Sequence, residues 1–389
     1  MKRIKVAIVG GGPAGLTAAL TLSKSGISPV VFEEHPSIGR PIQCGEGVSI
    51  GVFEDLSLSP EKCDFVIRDF KDTKIHLPSN TQIFGDIHSF MIKRDEFDNY
   101  LAEKSIENGS EIRLSSKVTE LRRKKEHIEL IVSGNSKEHY ECEYVILAEG
   151  SRAYLARSMG FDTPISIRAF EYKIKGEWGD DLKFYFDAKR SPYGYCWIFP
   201  RDNETNVGIL TTAHNRKERL DNFLKECNIT GDILKKVGGT IPMKGPVSKL
   251  QGDRILLVGD TAGMVNPLFY GGIRLGMTSG RVAGDFLSAV LLRGEKEQIS
   301  DLGDYQKNLQ KYRFMSTLNL KCHEFFYGCS NAVLAKIGQV FNRQYINRIE
   351  GIRILKTLAK ISTKPSLLFH PVGLFYMYRG FKIARDWGF

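Results

Sequence analysis

The chain has 389 residues, 42% of them hydrophobic and 26% charged, which is typical of a globular protein with two or three domains. No apolar run reaches about 18 residues, so we expect no transmembrane helix. Met1-Lys2-Arg3 leads directly into an apolar strand, so we expect no signal peptide. The seven cysteines are scattered without a Cys-x-x-Cys pair, which indicates a reducing cytoplasm and no metal site.

The first 34 residues contain the stretch around which the rest of the chain is organised. An apolar strand over 4–9 is followed by Gly10-x-Gly12-x-x-Gly15, a small-residue helix and a second apolar strand that ends at Glu33. This spacing is the dinucleotide-binding fingerprint. Gly10 permits the tight turn, Gly12 lets a pyrophosphate approach the backbone, and Gly15 lets the helix lie close on the strand. The helix N-terminus attracts phosphates, and Glu33 is placed to bind ribose hydroxyls.

The following residues predict a loop, short strands and a helix. Residues 36–47 are punctuated by glycine and proline and form a loop where ligands of parallel sheets bind. Strand-like pieces occupy 63–92, and a helix begins near Arg94. This arginine reaches a phosphate or pairs with Asp98 one turn later, and the sequence leaves both alternatives open. Further strands are predicted at 112–114, 117–132, 139–142 and 144–150.

From about residue 165 the pattern becomes β-rich and aromatic, which predicts an antiparallel sheet with a helix near 215–227. A strand at 254–260 ends in Gly-Asp, and a loop over 261–272 leads into a helix over 273–292. The reading is helical from 302 onward. We therefore expect a nucleotide-binding domain over 1–165 with inserted strands near 63–92, a substrate-binding domain over 166–250, a return segment over 251–300 and a helical segment over 301–389.

The net charge of +10 is concentrated at the end of the chain, where residues 331–389 hold ten basic and two acidic side chains. The segment is also rich in large apolar and aromatic residues. Two interpretations stay open: peripheral contact with the inner face of an anionic membrane, or a solvated basic helix packed on the body through its apolar stripe. We expect no nucleic-acid binding, because the basic residues lie among large aliphatic side chains and no known nucleic-acid motif is present.

Three motifs stand in one order: the glycine fingerprint at 10–15, an acid-glycine step at 149–150, and Gly-Asp at 259–260. This order resembles the FAD-dependent oxidoreductases of the p-hydroxybenzoate hydroxylase fold. The resemblance implies an α/β protein: a Rossmann-type FAD-binding domain, an antiparallel β-sheet substrate domain and a C-terminal helical segment. It also implies that Asp260 contacts the ribityl and pyrophosphate part of FAD, and that the backbone N–H groups of Gly272 and Ile273 face the flavin ring.

Two more specific stretches resemble the archaeal-type geranylgeranyl reductases over about residues 4–300. One is Cys44-Gly45-Glu46-Gly47, and the other is the Tyr-x-Trp-x-Phe-Pro strand at 195–200. The resemblance implies that Tyr193, Tyr195, Trp197 and Phe199 line an isoprenoid cavity. The FAD contacts that it implies are Gly10, Gly12, Ala14, Gly15, Glu33, Cys44, Gly45, Gly47, Arg94, Val118, Asp260, Gly272 and Ile273. For the four aromatic residues, an ordinary sheet core is the alternative.

The chain departs from the family pattern at three positions. Glu149 stands where aspartate is usual, Tyr270 where a glycine often precedes Gly271-Gly272, and Arg274 where a small or apolar residue is common. The C-terminal helical part shows no match to the family. These departures bear on the substrate rather than on FAD binding.

The implied reaction is saturation of C=C bonds in a geranylgeranyl chain of a lipid or diphosphate by reduced FAD, with a hydride to one carbon and a proton to the other. Cys44 is predicted to relay the proton or to close the cavity, a buried thiol without a role being the alternative, and Glu46 is a weaker candidate for proton supply. The electrons come from an external donor, ferredoxin or NAD(P)H. A monooxygenase or halogenase of the same fold is one alternative, although Tyr195 stands where the halogenase signature has tryptophan. A non-catalytic flavin- or lipid-binding protein is another.

Overall fold

The structure is a computed structural model that describes residues 2–134, 136–293 and 304–388. In chain order its strands are β1 (Lys2–Val9), β2 (Val30–Phe32), β3 (Gly47–Ser49), β4 (Val66–Phe70), β5 (Thr73–Leu77), β6 (Thr81–Gly85), β7 (Ser89–Ile92), β8 (Glu111–Arg113), β9 (Lys117–Arg123), β10 (Ile128–Ser133), β11 (Lys137–Leu147), β12 (Ser166–Lys175), β13 (Leu182–Tyr185), β14 (Cys196–Pro200), β15 (Glu204–Thr211), β16 (Ile233–Pro242), β17 (Gln251–Gly252) and β18 (Ile255–Leu257).

The α-helices are α1 (Pro13–Lys24), α2 (Gly51–Leu56), α3 (Arg94–Glu107), α4 (Tyr154–Ser158), α5 (Arg216–Glu226), α6 (Ile273–Arg293), α7 (Asp304–Gln310), α8 (Thr317–Gly328), α9 (Asn331–Phe341), α10 (Ile352–Ser362), α11 (Pro365–Leu368) and α12 (Pro371–Trp387). The helices predicted near 215–227 and 273–292 are confirmed as α5 and α6. The expected boundary between residues 300 and 301 lies outside the described residues.

The first sheet runs β17-β18-β11-β1-β2-β8, and β9 and β10 extend it from β11. Strand β1 lies parallel to both β2 and β11, with Val9 level with Phe32 and Leu147. Strands β2 and β18 and the C-terminal parts of β1 and β11 are buried and apolar, as strands covered on both faces are. Because they are parallel, their carboxyl ends meet at one edge, where α/β folds bind ligands.

Helices α1 and α6 cover this sheet and lie very close to each other. Small residues make the approach possible: a Cβ on Gly280 would stand 2.1 Å from the carbonyl oxygen of Ala14, and one on Gly284 would stand 2.6 Å from Thr21 Cβ. The glycine turn also depends on a close approach that a side chain would block. Gly10 has φ +109°, and a Cβ there would stand 2.2 Å from the carbonyl oxygen of Ala148.

The second sheet runs β16-β12-β15-β14-β13-β5-β6 and is antiparallel except for the parallel pair β13–β5. Its last two strands, β5 and β6, come from residues 73–85, whereas its other five strands come from residues 166–242. The sheet therefore draws on two separated parts of the sequence. Strands β3, β7 and β4 form a third, small sheet, and β3 begins at Gly47. This sheet therefore holds the end of the loop that contains Cys44-Gly45-Glu46-Gly47, here called the cysteine loop. The α/β fold class with an antiparallel second sheet is confirmed.

The C-terminal helices pack against the open face of the second sheet. Their shared core includes an aromatic cluster in which the rings of Phe186, Phe269, Phe326 and Phe381 meet edge to face at 5.0–6.2 Å. The helical reading beyond residue 302 is confirmed for residues 304–388. No helix of the described ranges is both long enough and apolar enough to cross a bilayer.

Candidate active site

A cavity opens at the carboxyl edge of the first sheet and reaches the aromatic strand β14 of the second. Most of its lining comes from four separated segments of the chain: the glycine turn, the cysteine loop, the 258–276 segment and β14. Its lining includes Gly12, Ala14, Cys44, Gly45, Glu46, Gly47, Arg94, Tyr195, Trp197, Phe199, Asp260, Gly272 and Ile273. The structure therefore brings together most of the residues singled out in the sequence.

The glycine turn presents an open N-terminus of α1 to this cavity. Gly12 is the N-cap residue, and a Cβ built on it meets no atom within 4 Å. Glu33 accepts a hydrogen bond from the Gly11 N–H at 2.7 Å and so holds the turn from the next strand. Gly10 and Gly15 are not part of the cavity lining. They shape the turn instead, since a Cβ on Gly15 would stand 2.1 Å from the Gly10 carbonyl oxygen.

The cysteine loop reaches the cavity through a strained backbone. Glu46 has φ +65°, and its N–H donates to Cys44 Sγ at 3.2 Å. Asn206 of β15 donates to the carbonyl oxygen of Gly45 at 3.1 Å and ties the loop to the second sheet. Burial raises the pKa of the Cys44 thiol, with the nearby Arg94 opposing the rise, so the thiol keeps its proton at neutral pH.

A fully buried ion-pair cluster holds the Glu46 side chain. Its carboxylate pairs with Lys173 of β12 and with Arg201 Nη1 at 2.6 Å, and the Arg94 N–H donates to it at 3.3 Å. Arg201 also lies 2.8 Å from Glu204. Charges buried this deeply need such partners. The cluster connects the cysteine loop to β12 through Lys173 and to the end of β14 through Arg201.

Of the two alternatives predicted for Arg94, the structure shows the pairing with Asp98. Its guanidinium donates to both carboxylate oxygens of Asp98 at 3.0 and 2.9 Å, and both side chains are buried. Burial raises the pKa of Asp98, and Arg94 opposes this rise. Arg94 also lines the cavity, so the pair with Asp98 orients a cation toward it.

The 258–276 segment supplies an acid and a helix start on the far side of the cavity. Burial raises the pKa of Asp260 to about 6, with Arg94 opposing. Among the described residues none donates a hydrogen bond to the Asp260 carboxylate, which faces the cavity. Gly272 packs close to this side chain, since a Cβ on it would stand 3.0 Å from Asp260 Oδ1. Helix α6 begins at the next residue, Ile273.

Six buried aromatic side chains line the part of the cavity that faces the second sheet. The ring of Phe184 lies 5.1–5.2 Å from those of Tyr195, Phe199 and Phe269. The indole of Trp197 lies between the rings of Tyr195 and Phe199, at 6.1 and 6.3 Å. The six are Phe184, Tyr195, Trp197, Phe199, Phe269 and Tyr270.

The comparisons with known proteins agree with this geometry. Residues 5–169 match the family model described as lycopene cyclase protein, and residues 162–241 match the geranylgeranyl reductase catalytic domain. A digeranylgeranylglycerophospholipid reductase from Methanocaldococcus jannaschii is 30% identical, with 93% of this chain and 96% of that protein covered. One of two such reductases from Methanopyrus kandleri is 29% identical, with coverage of 92% and 96%. The chain belongs to the digeranylgeranylglycerophospholipid reductase family.

Solved structures show the same fold. A geranylgeranyl bacteriochlorophyll reductase-like protein from Thermoplasma acidophilum superposes with a TM-score of 0.84 at 24% identity, covering 94% of this chain and all of that one. A flavin-dependent brominase superposes with a TM-score of 0.72 at 17% identity, covering 96% and 99%. The resemblance to the geranylgeranyl reductases is confirmed, and the fold is one that flavin-dependent enzymes use.

Besides the two turn glycines, three residues expected at the site of this digeranylgeranylglycerophospholipid reductase family member do not line the cavity: Glu33, Val118 and Tyr193. Tyr193 precedes β14 in a left-handed conformation (φ +55°) and is 47% exposed; its carbonyl oxygen accepts a hydrogen bond from the Tyr270 hydroxyl at 2.6 Å. Val118 lies in β9, paired with Val132, and packs in the core of the first sheet. The resemblance implied Tyr193 as a cavity residue, but it lies before the start of β14 at Cys196.

The three departures from the reductase family pattern each have a local structural role. Glu149 accepts hydrogen bonds from the N–H groups of Leu155 and Ala156 at 2.9 and 2.7 Å at the start of α4. Tyr270 has φ +56°, which explains why a glycine suits this position.

Arg274 donates to Asp55 at 2.8 Å and to the backbone oxygen of Asp386 at 2.7 Å, and it stacks on Trp387. The C-terminal end of the chain is thereby fixed beside the start of α6. A second contact supports this attachment, because Asn266 donates to the carbonyl oxygen of Gly388 at 2.8 Å.

Four polar residues of the second sheet belong to the site but escaped sequence reasoning: Glu171, Lys173, Arg201 and Asn206. Glu171 accepts a hydrogen bond from Trp197 Nε1 at 3.0 Å, and burial together with the charge of Glu46 raises its pKa to about 8. A signal was present, since Glu171 and Lys173 alternate with aromatic residues in one strand and so share one face. From the sequence alone, a strand face that carries Glu171 and Lys173 is expected to be exposed to solvent, whereas both side chains are buried.

Proposed function

We propose that the protein is an FAD-dependent reductase that saturates C=C bonds in the geranylgeranyl chains of lipids or diphosphates. The observation that carries this proposal is the junction of the family's cysteine loop, the glycine turn and the α6 start around one cavity with an aromatic face. The relatives are named for reduction of a digeranylgeranyl lipid, which supports an isoprenoid substrate here.

The residues present fit FAD in three respects. The open space at Gly12 and the free N-terminus of α1 suit a pyrophosphate. The Asp260 carboxylate, without a protein partner among the described residues, suits a hydroxyl donor of the ribityl chain. The Gly272–Ile273 helix start lines the cavity, and its backbone N–H groups would hold the flavin ring. When bound and reduced, FAD supplies the hydride.

We assign the site contacts residue by residue. Gly12, Ala14, Gly45, Gly47, Arg94, Asp260, Gly272 and Ile273 would contact FAD, and Gly10, Gly15 and Glu33 would hold the turn that does so. Tyr195, Trp197 and Phe199 would contact the isoprenoid chain. An isolated alkene has no heteroatom for an acid to polarise, so these aromatic residues contribute by orienting the chain and excluding water.

The proton for the second carbon comes in this proposal from Cys44. Its thiol lines the cavity and burial keeps it protonated. Glu46 is the weaker candidate because Lys173 and Arg201 already bind its carboxylate. In this proposal the electrons come from an external donor, ferredoxin or NAD(P)H, and the sequence holds no second nucleotide fingerprint that would choose between the two. The domain division at 165, 250 and 300 remains part of the proposal.

We further propose that the C-terminal helices hold the protein at an anionic membrane surface on the cytoplasmic side. Eight of the sixteen large hydrophobic side chains that are exposed in the described residues fall within 352–375. Helix α10 has one buried residue, Thr357, and no acidic side chain, and it exposes Arg353, Lys356 and Lys360 beside its leucines and isoleucines. A basic amphipathic helix with an uncovered apolar face suits the interface of an anionic bilayer.

The decisive experiment is mass spectrometry of geranylgeranyl lipids after anaerobic incubation with the dithionite-reduced holoprotein. The proposal expects mass gains of two hydrogens per bond, with the oxidised flavin spectrum returning in step. Oxygen-dependent NAD(P)H consumption with an oxygenated or halogenated product would instead establish the monooxygenase or halogenase alternative. Reduced flavin that persists with every polyprenyl lipid would indicate a binding protein.

A further inference from the structure

A carboxyl group behind the aromatic strand has no role in the reaction as described so far. Glu171 lies in the middle of β12 and is 3% exposed. Its Oε2 accepts the hydrogen bond from Trp197 Nε1, whereas its Oε1 is buried without a hydrogen-bond partner. Burial of an ionised carboxylate is energetically unfavourable when one of its oxygens accepts no hydrogen bond. This geometry therefore favours the protonated, neutral carboxylic acid.

The sheet register explains how Trp197 reaches this group. Glu171 is paired with Gly208 of β15, and Gly208 is paired with Trp197 of β14, so the three residues form one row across the sheet. A Cβ on Gly208 would stand 2.1 Å from Trp197 Cζ2. The absent side chain at Gly208 is therefore what allows the indole to cross β15 and meet the carboxyl group.

The same row lies directly under the cysteine loop. The Cβ position of Gly45 is 3.6 Å from Glu171 Oε2, and Gly45 follows Cys44, whose thiol lines the cavity. Asn206, one position along the same face, donates to the Gly45 carbonyl oxygen. Glu171 is thus an acid of the second sheet that lies against the loop beside Cys44, close enough for its charge to raise the pKa of that thiol.

We propose that Glu171 is the proton reserve of the reaction and reloads the Cys44 thiol after each alkene reduction. The inference rests on the proposed function and adds the source of its proton. Saturation of one C=C bond consumes a hydride, supplied by the reduced cofactor, and a proton, which leaves Cys44 as a thiolate. Transfer of the Glu171 proton restores the thiol and leaves a carboxylate, and solvent then protonates that carboxylate. Glu171 acts through Cys44 and is a positioning residue rather than a group that touches the substrate.

The charged groups around Glu171 set the pH range of this role. Lys173 on its own strand and Arg201 after β14 favour the carboxylate, whereas Glu46 and the Cys44 thiolate on the loop favour the acid. Strand β15 presents Gly208 and Asn206 on this face, and β16 presents Val237, all uncharged. Burial is the largest influence and raises the pKa to about 8, so the acid form prevails at neutral pH.

The test compares Glu171→Gln with wild-type holoenzyme. The amide oxygen of glutamine still accepts the bond from Trp197, but the side chain has no acid proton to give. We expect unchanged flavin binding and lipid saturation slower by at least about tenfold at neutral pH. The wild-type rate falls as pH rises through about 8, and the variant loses this alkaline fall. Glu129→Gln, which alters another buried strand glutamate far from the cavity, serves as the matched control and retains the wild-type profile.

Infrared titration of the resting protein gives a second readout that does not depend on turnover. The carboxylic acid carbonyl band should persist at neutral pH and disappear near pH 8, and Trp197→Phe should move the midpoint upward because the indole N–H favours the carboxylate. Absence of such a band at neutral pH, or a Glu171→Gln enzyme with the wild-type rate and profile, overturns the proposal. A wild-type enzyme that saturates no lipid at any pH instead overturns the proposed function itself.

Discussion

Replacement of Gly208 by alanine tests whether the indole really crosses strand β15. The new Cβ would stand 2.1 Å from Trp197 Cζ2 and 2.5 Å from Cε2 and Cη2, where carbon atoms normally keep about 3.5–4.0 Å. The indole must therefore move by more than about 1 Å. Such overpacking in a filled core costs about 1–3 kcal/mol.

The movement also breaks the 3.0 Å hydrogen bond from Trp197 Nε1 to Glu171. A buried group left without its partner costs about 1–3 kcal/mol. The lower backbone entropy of the unfolded alanine chain returns about 0.4–1 kcal/mol. We expect a net loss of about 1–6 kcal/mol in the free energy of unfolding, together with slower lipid saturation because the cavity wall is displaced.

Gly238→Ala in β16 provides the matched control. Both glycines lie in strands of the same sheet without positive φ, but a Cβ at Gly238 would meet its nearest atoms at 3.7 and 3.9 Å, an ordinary contact. We expect this variant to be neutral or slightly stabilised. The assay is denaturant unfolding of both variants with the wild type, with tryptophan fluorescence and circular dichroism as probes. Equal stability of the two variants would refute the packing argument.

Three further predictions follow from the site and the C-terminal helices. Cys44→Ala should retain bound flavin in its absorption spectrum but saturate alkenes more slowly, and unchanged turnover would remove the thiol from the reaction. The raised pKa of Asp260 means that the folded apoprotein binds a proton that the unfolded chain has released, so its stability falls as pH rises from about 4 to about 6. Asp260→Asn should therefore increase the free energy of unfolding of the apoprotein above pH 6 by up to about 3 kcal/mol, measured as a higher melting temperature, while weakening flavin binding. A melting temperature that keeps the wild-type pH dependence would contradict this. Leu355→Glu with Leu358→Glu should abolish sedimentation with anionic vesicles, whereas Leu234→Glu, an exposed leucine of β16, should not, and equal binding by all three proteins would place the membrane contact elsewhere.

The sequence predicted the glycine turn and the cysteine loop in detail because both depend on local backbone geometry. Turn residues need glycine at fixed spacings whatever surrounds them, and the carboxyl ends of parallel strands always share an edge. The resemblance implied that Tyr195, Trp197 and Phe199 share one cavity, and the structure brings the three together. The same expectation failed for Tyr193, because the chain turns into the left-handed region just before β14 and the side chain faces outward.

Sequence reasoning did not find the polar layer behind the aromatic strand. Glu171 and Lys173 look like a solvated strand face, and nothing local shows that the cysteine loop covers it or that Glu46 and Arg201 are buried with it. Likewise, the pairing of β5 with β13 joins residues about a hundred positions apart, and Arg274 finds Asp386 at the other end of the chain. Contacts of this kind depend on strand register and helix docking rather than on any local pattern.

The amino-acid sequence by itself determined the position of the glycine turn, which loop carries the thiol and which strand is aromatic, since spacing and alternation express those features directly. Only the tertiary structure decided which charges are buried, which glycine lets an indole cross a strand, and which helix faces remain uncovered. The physical reason is that burial is a property of the surroundings. A glutamate on a strand is an ordinary surface residue or a proton-holding acid according to what the rest of the chain places above it.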